Sequence, residues 1–261
     1  MVNINNVTVL SLDYIRDRAP AVFASAPASH VSKEYKFVNT ASVLDTLINS
    51  GWEPIQANQQ KVRVASRSEG TKHQILLRHS SSQTEGLEIG GLIPTLRIIN
   101  SHDWSSRFSM FFGMLRLVCS NGLTVSGAQF AGFDVRHDAV QEDVQTVLGR
   151  FNSYSNMMLD TAQRWSKIEL DRSRAETFFM DAARIRFGPD ANSDHADTLK
   201  MVRRQEDITP TLWNAYNVAQ ENSMKGGGKR GQMKRLSRPL TNIATAHAVN
   251  TGLFELAASY A

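Results

Sequence analysis

Cysteine is almost absent from this chain: 261 residues hold one, Cys119. A disulfide framework within the chain is excluded, and so is a thiolate-rich structural zinc site. A reducing compartment is the simplest expectation. Long apolar runs are missing as well, none approaching the roughly 18 residues of a membrane-spanning helix. The first residues lack the basic-then-apolar order of a secretory leader, and a cytoplasmic protein with no membrane partner is expected. Charge of one sign is scarce too. The 29 Lys and Arg against 25 Asp and Glu leave a formal +4, too small a balance to name a partner by itself. Hydrophobic types at 41% exclude disorder over the whole length and suffice for a sizeable core.

The residue patterns of catalysis are also missing. Ser101-His102-Asp103 holds the three residue types of a nucleophilic triad, but neighbours in an extended chain point to opposite faces, and a turn fits better. The seven histidines are scattered, and neither His-Glu-x-x-His nor Cys-x-x-Cys occurs. Asp190, Asp194 and Asp197 near His195 lack the glycine and terminal glutamate of a calcium loop, and a solvated loop fits them better. Gly226-Gly227-Gly228-Lys229-Arg230-Gly231 resembles a phosphate loop in composition only, because Arg230 follows the lysine and a helix precedes the run. Cys119 lies in an apolar stretch without an adjacent base. These absences predict a protein that is not an enzyme and uses no cofactor or metal.

What is present predicts an α+β fold. Residues 1–35 read as a loosely held N-terminal arm, and residues 36–261 as a single domain. Thr40 caps a helix over Ala41 to Ser50, with Val43, Leu44, Leu47 and Ile48 on one face and Gly51 as its stop. The rest of 36–137 reads as an antiparallel meander of about five strands. They are Lys61 to Ser66, Gln74 to Arg78, Leu92 to Asn100, Arg107 to Cys119 and Phe130 to Arg136, with Asn121-Gly122 as a tight hairpin turn.

Residues 138–261 are helical. A long amphipathic helix runs from Val140 to Ile168 behind the sheet. A second follows the capping pair Ser173 and Glu176 and ends at Gly188-Pro189. A third starts at Thr209-Pro210 with Leu212, Trp213, Tyr216 and Ala219 as its buried side. A last one follows Pro239.

The charge distribution is more telling than its sum. Between Met224 and Arg238 stand Lys225, Lys229, Arg230, Lys234, Arg235 and Arg238 with no acidic residue, in a glycine-rich loop able to wrap a polyanion. A solvated loop is the competing reading. Lys61, Arg63 and Arg67 share one parity and Val62 and Val64 the other, which predicts a strand with a cationic and an apolar face. Arg78, Arg97, Arg107 and Arg116 extend that surface if register allows. A basic sheet backed by helices suits a single-strand nucleic-acid groove. Phe108, Phe111 and Phe112 fit a strand core better than base stacking.

Two stretches carry a resemblance. Ser101-His102-Asp103 leading to Arg116-Leu117-Val118-Cys119-Ser120-Asn121-Gly122-Leu123, and Thr211-Leu212-Trp213-Asn214-Ala215-Tyr216-Asn217 with the Gly- and Arg-rich segment after it, resemble the phage/plasmid-like proteins of unknown function. The likeness covers the chain from about Tyr35 onward and implies a mobile-element context without catalytic residues. Trp104 departs from it, standing where a smaller turn residue is expected. The overall plan also resembles, at the level of fold alone, the single-strand annealing proteins, which oligomerise and hold DNA in a basic groove.

The expectation is therefore a non-enzymatic homo-oligomer that binds single-stranded DNA in recombination or replication. Lys61, Arg63, Arg67, Arg78, Arg107 and Arg116 would contact phosphates while Lys225 to Arg238 clamp the strand. The alternative is a phage protein-interaction module, such as a host-defence inhibitor or virion component, without DNA binding.

Overall fold

The computed structural model describes residues 7–32, 34–63, 65–82, 90–117, 121–124, 133–134, 140–226 and 237–261, with backbone alone at 65–67, 121–124, 133–134, 140–144 and 147. Cys119, Lys229, Arg230, Lys234 and Arg235 lie outside these residues. The class is α+β, an antiparallel sheet followed by a helical half.

Strands β1 (Trp52–Gln59), β2 (His73–His79), β3 (Leu92–Asn100) and β4 (Ser109–Arg116) pair in chain order. Two short segments, β5 (Asn121–Thr124) and β6 (Phe133–Asp134), both pair with β4. Register places Ile75 opposite Ile98 and Leu96 opposite Phe112. Alternation then sends Ile75, Leu77, Leu96, Ile98, Met110 and Phe112 into one core with Val43, Leu44 and Leu47 of helix α2 (Thr40–Asn49). Asn39, not Thr40, caps α2, accepting from the Ser42 amide at 3.1 Å.

The opposite face is also covered. Ile55, Leu76, Ile93 and Leu115 form a second apolar cluster against Val7 and Leu117, and every residue of β3 is buried. The expected one-sided cationic sheet is therefore corrected. Strands buried on both faces carry apolar residues at both parities, as β3 already does with Leu96 and Ile98 at one and Ile93 and Ile99 at the other. The hairpin turn is corrected as well: Arg116 pairs with Asn121, so Asn121-Gly122 opens β5 and the reversal precedes it.

The N-terminal arm is not loose. Helix α1 (Leu12–Arg18) and a 3-10 turn at Pro20–Phe23 bury Ile15, Ala19 and Val22 in the first core, and Ala21 is buried beside them in the turn. Leu10 N donates to Pro54 O at 2.8 Å, along the outer edge of β1, where the register shifts between Pro54 and Gln56. Apolar residues spaced too irregularly for one long helix still bury well in two short elements.

Helix α3 (Val140–Trp165) sets Phe151 edge-on to Trp52 at 4.5 Å and stacks Tyr154 on Phe112 at 4.8 Å. Helices α4 (Arg172–Phe187), α5 (Ser193–Leu199), α6 (Leu212–Lys225) and α7 (Ile243–Ser259) build the other core around Trp165, Phe178, Tyr216, Leu253 and Phe254. Helix α5 takes up part of the acidic stretch expected to be a loop. There His195 completes a capping box with Asn192, and Asp197 pairs with Lys200 at 3.0 Å. Helix α6 is buried on all sides from Leu212 to Ser223. Among the described residues no helix is long and apolar enough to cross a membrane.

Candidate nucleic-acid interface

Antiparallel order brings the β1–β2 connection and the β3–β4 connection to the same end of the sheet. The first carries Lys61 and Arg63, both exposed, and Arg67 in a 3-10 turn at Ala65–Gly70. These residues are not the strand their alternation suggested. The ladder ends where Gln59 meets His73, with one further bond from Gln60 N to Lys72 O at 2.8 Å, and no partner strand continues beyond it among the described residues. Gln59 secures the turn instead: its Nε2 donates to the Ser68 carbonyl at 2.7 Å, while its Oε1 accepts from the Ala21 amide at 2.8 Å.

The second connection, residues 101–108, carries the exposed Arg107 near its end. His102 N donates to Gly70 O at 2.8 Å, tying the two connections together. A Cβ on Gly70 would stand 3.4 Å from Asp103 Cβ, so they pack closely.

Beneath them lies a buried polar chain. Asn100 Nδ2 donates to Thr40 Oγ1 at 2.9 Å, Thr40 Oγ1 meets His73 Nε2 at 2.9 Å, and His73 Nδ1 meets the Thr71 carbonyl at 2.9 Å. A carbonyl only accepts, so Nδ1 carries the proton and Nε2 receives the Thr40 hydroxyl hydrogen. Burial pushes His73 down from 6.5 to about 3, against the Thr71 bond, so the ring is neutral. His102 is likewise lowered, burial outweighing its bond to the Ala21 carbonyl. The Ser101 and Asp103 side chains thus serve the turn, Ser101 Oγ accepting from Ser106 N at 2.9 Å and Asp103 Oδ1 from Ser105 N at 2.9 Å, while the His102 ring ties it to Ala21.

Beside this end opens a cleft of about 880 Å³ whose walls include Arg18, Asn58, Gln60, Lys61, Gln74, Thr241 and Asn242, with Asp17 as the one acidic residue among the described residues that line it. Asn242 caps α7, accepting from Thr245 N, and Ile243 N points to Gln60 Oε1 at 3.4 Å. The N-terminus of a 17-residue helix therefore stands at the wall and adds positive potential to that of Arg18 and Lys61. On β3 next to Gln74, Arg97 is buried at 8% exposure, with Nη1 3.4 Å from Gln74 Oε1. Desolvation lowers it to about 10, still charged at neutral pH.

A second locus is the neck of the glycine-rich segment. Gly226 closes α6 at φ +63°, and Ser237 and Arg238 bring the chain back beside it. Arg186 donates to Ser223 O and Arg238 O at 3.1 and 2.9 Å, and Arg203 donates to Gly226 O at 2.7 Å. Leu240 N reaches Met224 O at 3.0 Å, and from Leu240 the chain runs directly into the cleft wall.

The remaining predicted cations scatter. Arg78 faces Glu53 across the strands and pairs with it at 2.9 Å. Arg116 is corrected outright: both its side chain and that of Asp207 are 1% exposed, and Nη1 lies 2.7 Å from Asp207 Oδ1. No phosphate reaches it. Burial raises the Asp207 carboxyl, while Arg116 pulls it down. Lys225 is exposed at the neck and bonded to Glu221 at 2.7 Å, and Arg204 holds the same carboxylate at 2.7 and 3.1 Å. Burial alone would raise Glu221; the bonds from Arg204 and Lys225 outweigh it and hold the carboxyl low. Arg238 is exposed. Phe108 and Phe112 are core, and Phe111 packs on His247 at 4.3 Å.

Asn214 donates to Glu206 O and Thr209 O, and Asn217 to Trp213 O, so the Trp-Asn-x-x-Asn run supports the turn before α6 and the helix itself. Among the described residues no three His, Cys, Asp or Glu converge as a metal requires. Sequence reasoning missed Arg18, placed in the arm, and the Arg186 and Arg203 clamps, whose partners are main-chain carbonyls and the Asn222 side-chain oxygen and leave no sequence signal.

The sequence profile of a family described as a domain of unknown function, DUF932, matches residues 27–248. This chain belongs to the DUF932 family. The match encloses the sheet end and the neck, and most of the residues that wall the cleft; α1 and the Pro20–Phe23 turn precede it. Among similar proteins, the UPF0380 protein YafZ of Escherichia coli (strain K12) is 32% identical over 213 residues, 80% of this chain and 74% of its own length. The UPF0380 protein YfjQ of the same organism is 33% identical over the same shares. No solved structure matches this DUF932 chain.

Proposed function

We propose that this chain is a non-enzymatic, single-stranded DNA-binding accessory protein of a phage or plasmid, acting in recombination or replication in the host cytoplasm as a homo-oligomer. The observation that carries the reading is that Lys61, Arg63 and Arg107 stand exposed at one end of the sheet, in the two connections that also hold the backbone of Arg67, beside a cleft walled by Arg18 and the α7 terminus. The sequence from Lys225 to Arg238, six cations and no acid, joins that cleft through Leu240. Helix α2, the antiparallel strands and α3 also follow the order of a single-strand annealing fold, which is analogy alone.

Fluorescence anisotropy with a labelled dT oligonucleotide at about 50 and 200 mM salt tests it, because phosphate binding weakens steeply between them. Glutamine at Lys229, Arg230, Lys234 and Arg235 weakens binding to every sequence and makes the log-log salt slope shallower by about 0.7 for each phosphate no longer neutralised. Salt-insensitive affinity, or none at low salt, rejects the reading. Light scattering with and without the oligonucleotide tests assembly.

A second reading, a protein-interaction module, draws on Met201, Val202 and Ile208, apolar side chains exposed between α5 and α6. Specific capture of one host protein from nuclease-treated lysate favours it over DNA binding.

A further inference from the structure

We infer that Trp104 is a stacking platform for an unpaired nucleobase, an inference that rests on the single-strand reading and gives it a base-contacting residue. Trp104 is 61% exposed, whereas Trp52, Trp165 and Trp213 are 3%, 2% and 3% exposed. Among the described residues it is also the sole non-glycine with positive φ, +68°. A bulky aromatic side chain is strained there, and such strain persists only where the surroundings enforce it.

Here they do. The Ser101–Ser106 and Asp103–Ser105 bonds close the turn on either side of it, Tyr35 OH donates to Ser101 O at 2.7 Å, and the Tyr35 ring lies 5.7 Å from the Trp104 ring, tilted by 37°. Below the turn, Phe37 and His73 flank the His102 ring at 4.7 and 5.0 Å. The indole thus stands exposed on a closed turn, with Tyr35 as its aromatic neighbour.

Its position suits a strand whose phosphates follow the cations. Trp104 follows Asp103, which packs on Gly70 at the end of the turn bearing Arg67, and Arg107 lies three residues on. Phosphates along Lys61 and Arg63 would leave bases free to meet the indole face. Stacking needs no base identity, in keeping with low sequence preference. The Ser- and Asp-rich turn would form with a small residue at this position, so the indole is not there to make the turn.

The full chain is titrated with a labelled dT oligonucleotide and with an abasic phosphodiester of equal length, reading anisotropy and tryptophan emission together. The dT strand is expected to bind and quench emission, and the abasic strand to bind less tightly and leave emission unchanged. In Trp104→Phe the emission stays flat while most affinity survives, which assigns the signal to Trp104. Trp104→Ala loses affinity by roughly 5- to 150-fold. Trp104→Gly, which relieves the positive φ, keeps or raises the melting temperature while losing affinity.

Binding of dT without quenching, or equal affinity for both strands, overturns the stacking site and leaves the DNA-binding reading standing. Failure of either strand to bind at low salt overturns both. A lowered melting temperature in Trp104→Gly with unchanged affinity reduces Trp104 to a structural residue and overturns the inference.

Discussion

Gly226 and Arg238 touch at the neck of the glycine-rich segment: a Cβ on Gly226 would lie 2.5 Å from the Arg238 carbonyl carbon. Gly226 also holds φ +63° and ψ −175°, a region essentially closed to other residues. Gly226→Ala should cost about 1–3 kcal/mol from the backbone, with the clash in addition. Urea denaturation measures it, and oligonucleotide affinity should fall as the neck opens.

Arg116 and Asp207 form a buried ion pair at 2.7 Å. Either Arg116→Met or Asp207→Leu alone leaves an uncompensated charge and should cost about 3–5 kcal/mol. The double variant should recover much of that loss, a coupling that a double-mutant cycle reads directly. A Cβ on Gly90 would lie 2.5 Å from Arg116 Nε, so any substitution there should repeat the destabilisation.

Acid should weaken the sheet end. His73 is neutral in the fold, at about 3 against 6.5 ordinarily, and His247 is lowered by burial and then by Arg97 to about 4. Below 6.5 the unfolded chain binds protons that the folded chain refuses. Stability is fully present above that pH and falls as pH drops toward the folded values, by up to about 1.4 kcal/mol per pH unit for each ring. His73→Phe should be less stable at pH 7.5, since Thr40 and Thr71 lose a partner, and should show a flatter decline in acid, measured by thermal denaturation across pH.

Glu221 holds Lys225 and Arg204 together at the neck. Glu221→Gln should lower stability by about 2 kcal/mol by weakening the charge-assisted hydrogen bonds that Arg204 and Lys225 make to this buried side chain. The same change should strengthen oligonucleotide binding and steepen its salt dependence, because two cations beside the neck lose their carboxylate. Opposite signs in the two measurements distinguish electrostatic release from damage to the fold.

Much of the helical half is legible in the sequence because apolar stripes repeat over many turns. Helix α6 shows in Leu212, Trp213 and Tyr216, and Gly188 stops α4 at φ +97° as its sequence implies. Strands β2 and β3 show as dense Ile and Leu. Strand β1 is harder, since Pro54, Gln56 and Asn58 leave no apolar alternation to mark it and only its ladder to β2 makes it a strand. Lys61 to Ser66 mislead in the opposite way: alternation is local, whereas a strand needs a neighbour.

The site is legible in part. Lys61, Arg63 and Arg107 reach solvent at one end of the sheet, but not as a sheet face. Arg116 cannot be told from a surface arginine, because its partner Asp207 is 91 residues away in sequence. Trp104 stands out in the sequence only as an oddity in a turn, and its exposure belongs to tertiary structure.

Any assembly of copies would be constrained by the outer margin of β1. Pro54 supplies no amide hydrogen, the bulge beside it breaks the hydrogen-bonding rhythm, and Leu10 already occupies the Pro54 carbonyl. Main-chain annexation of a neighbouring subunit is blunted there. A ring or filament would then be joined at this side through side-chain surfaces, its cohesion set by apolar contact and charge matching and tunable without altering the sheet.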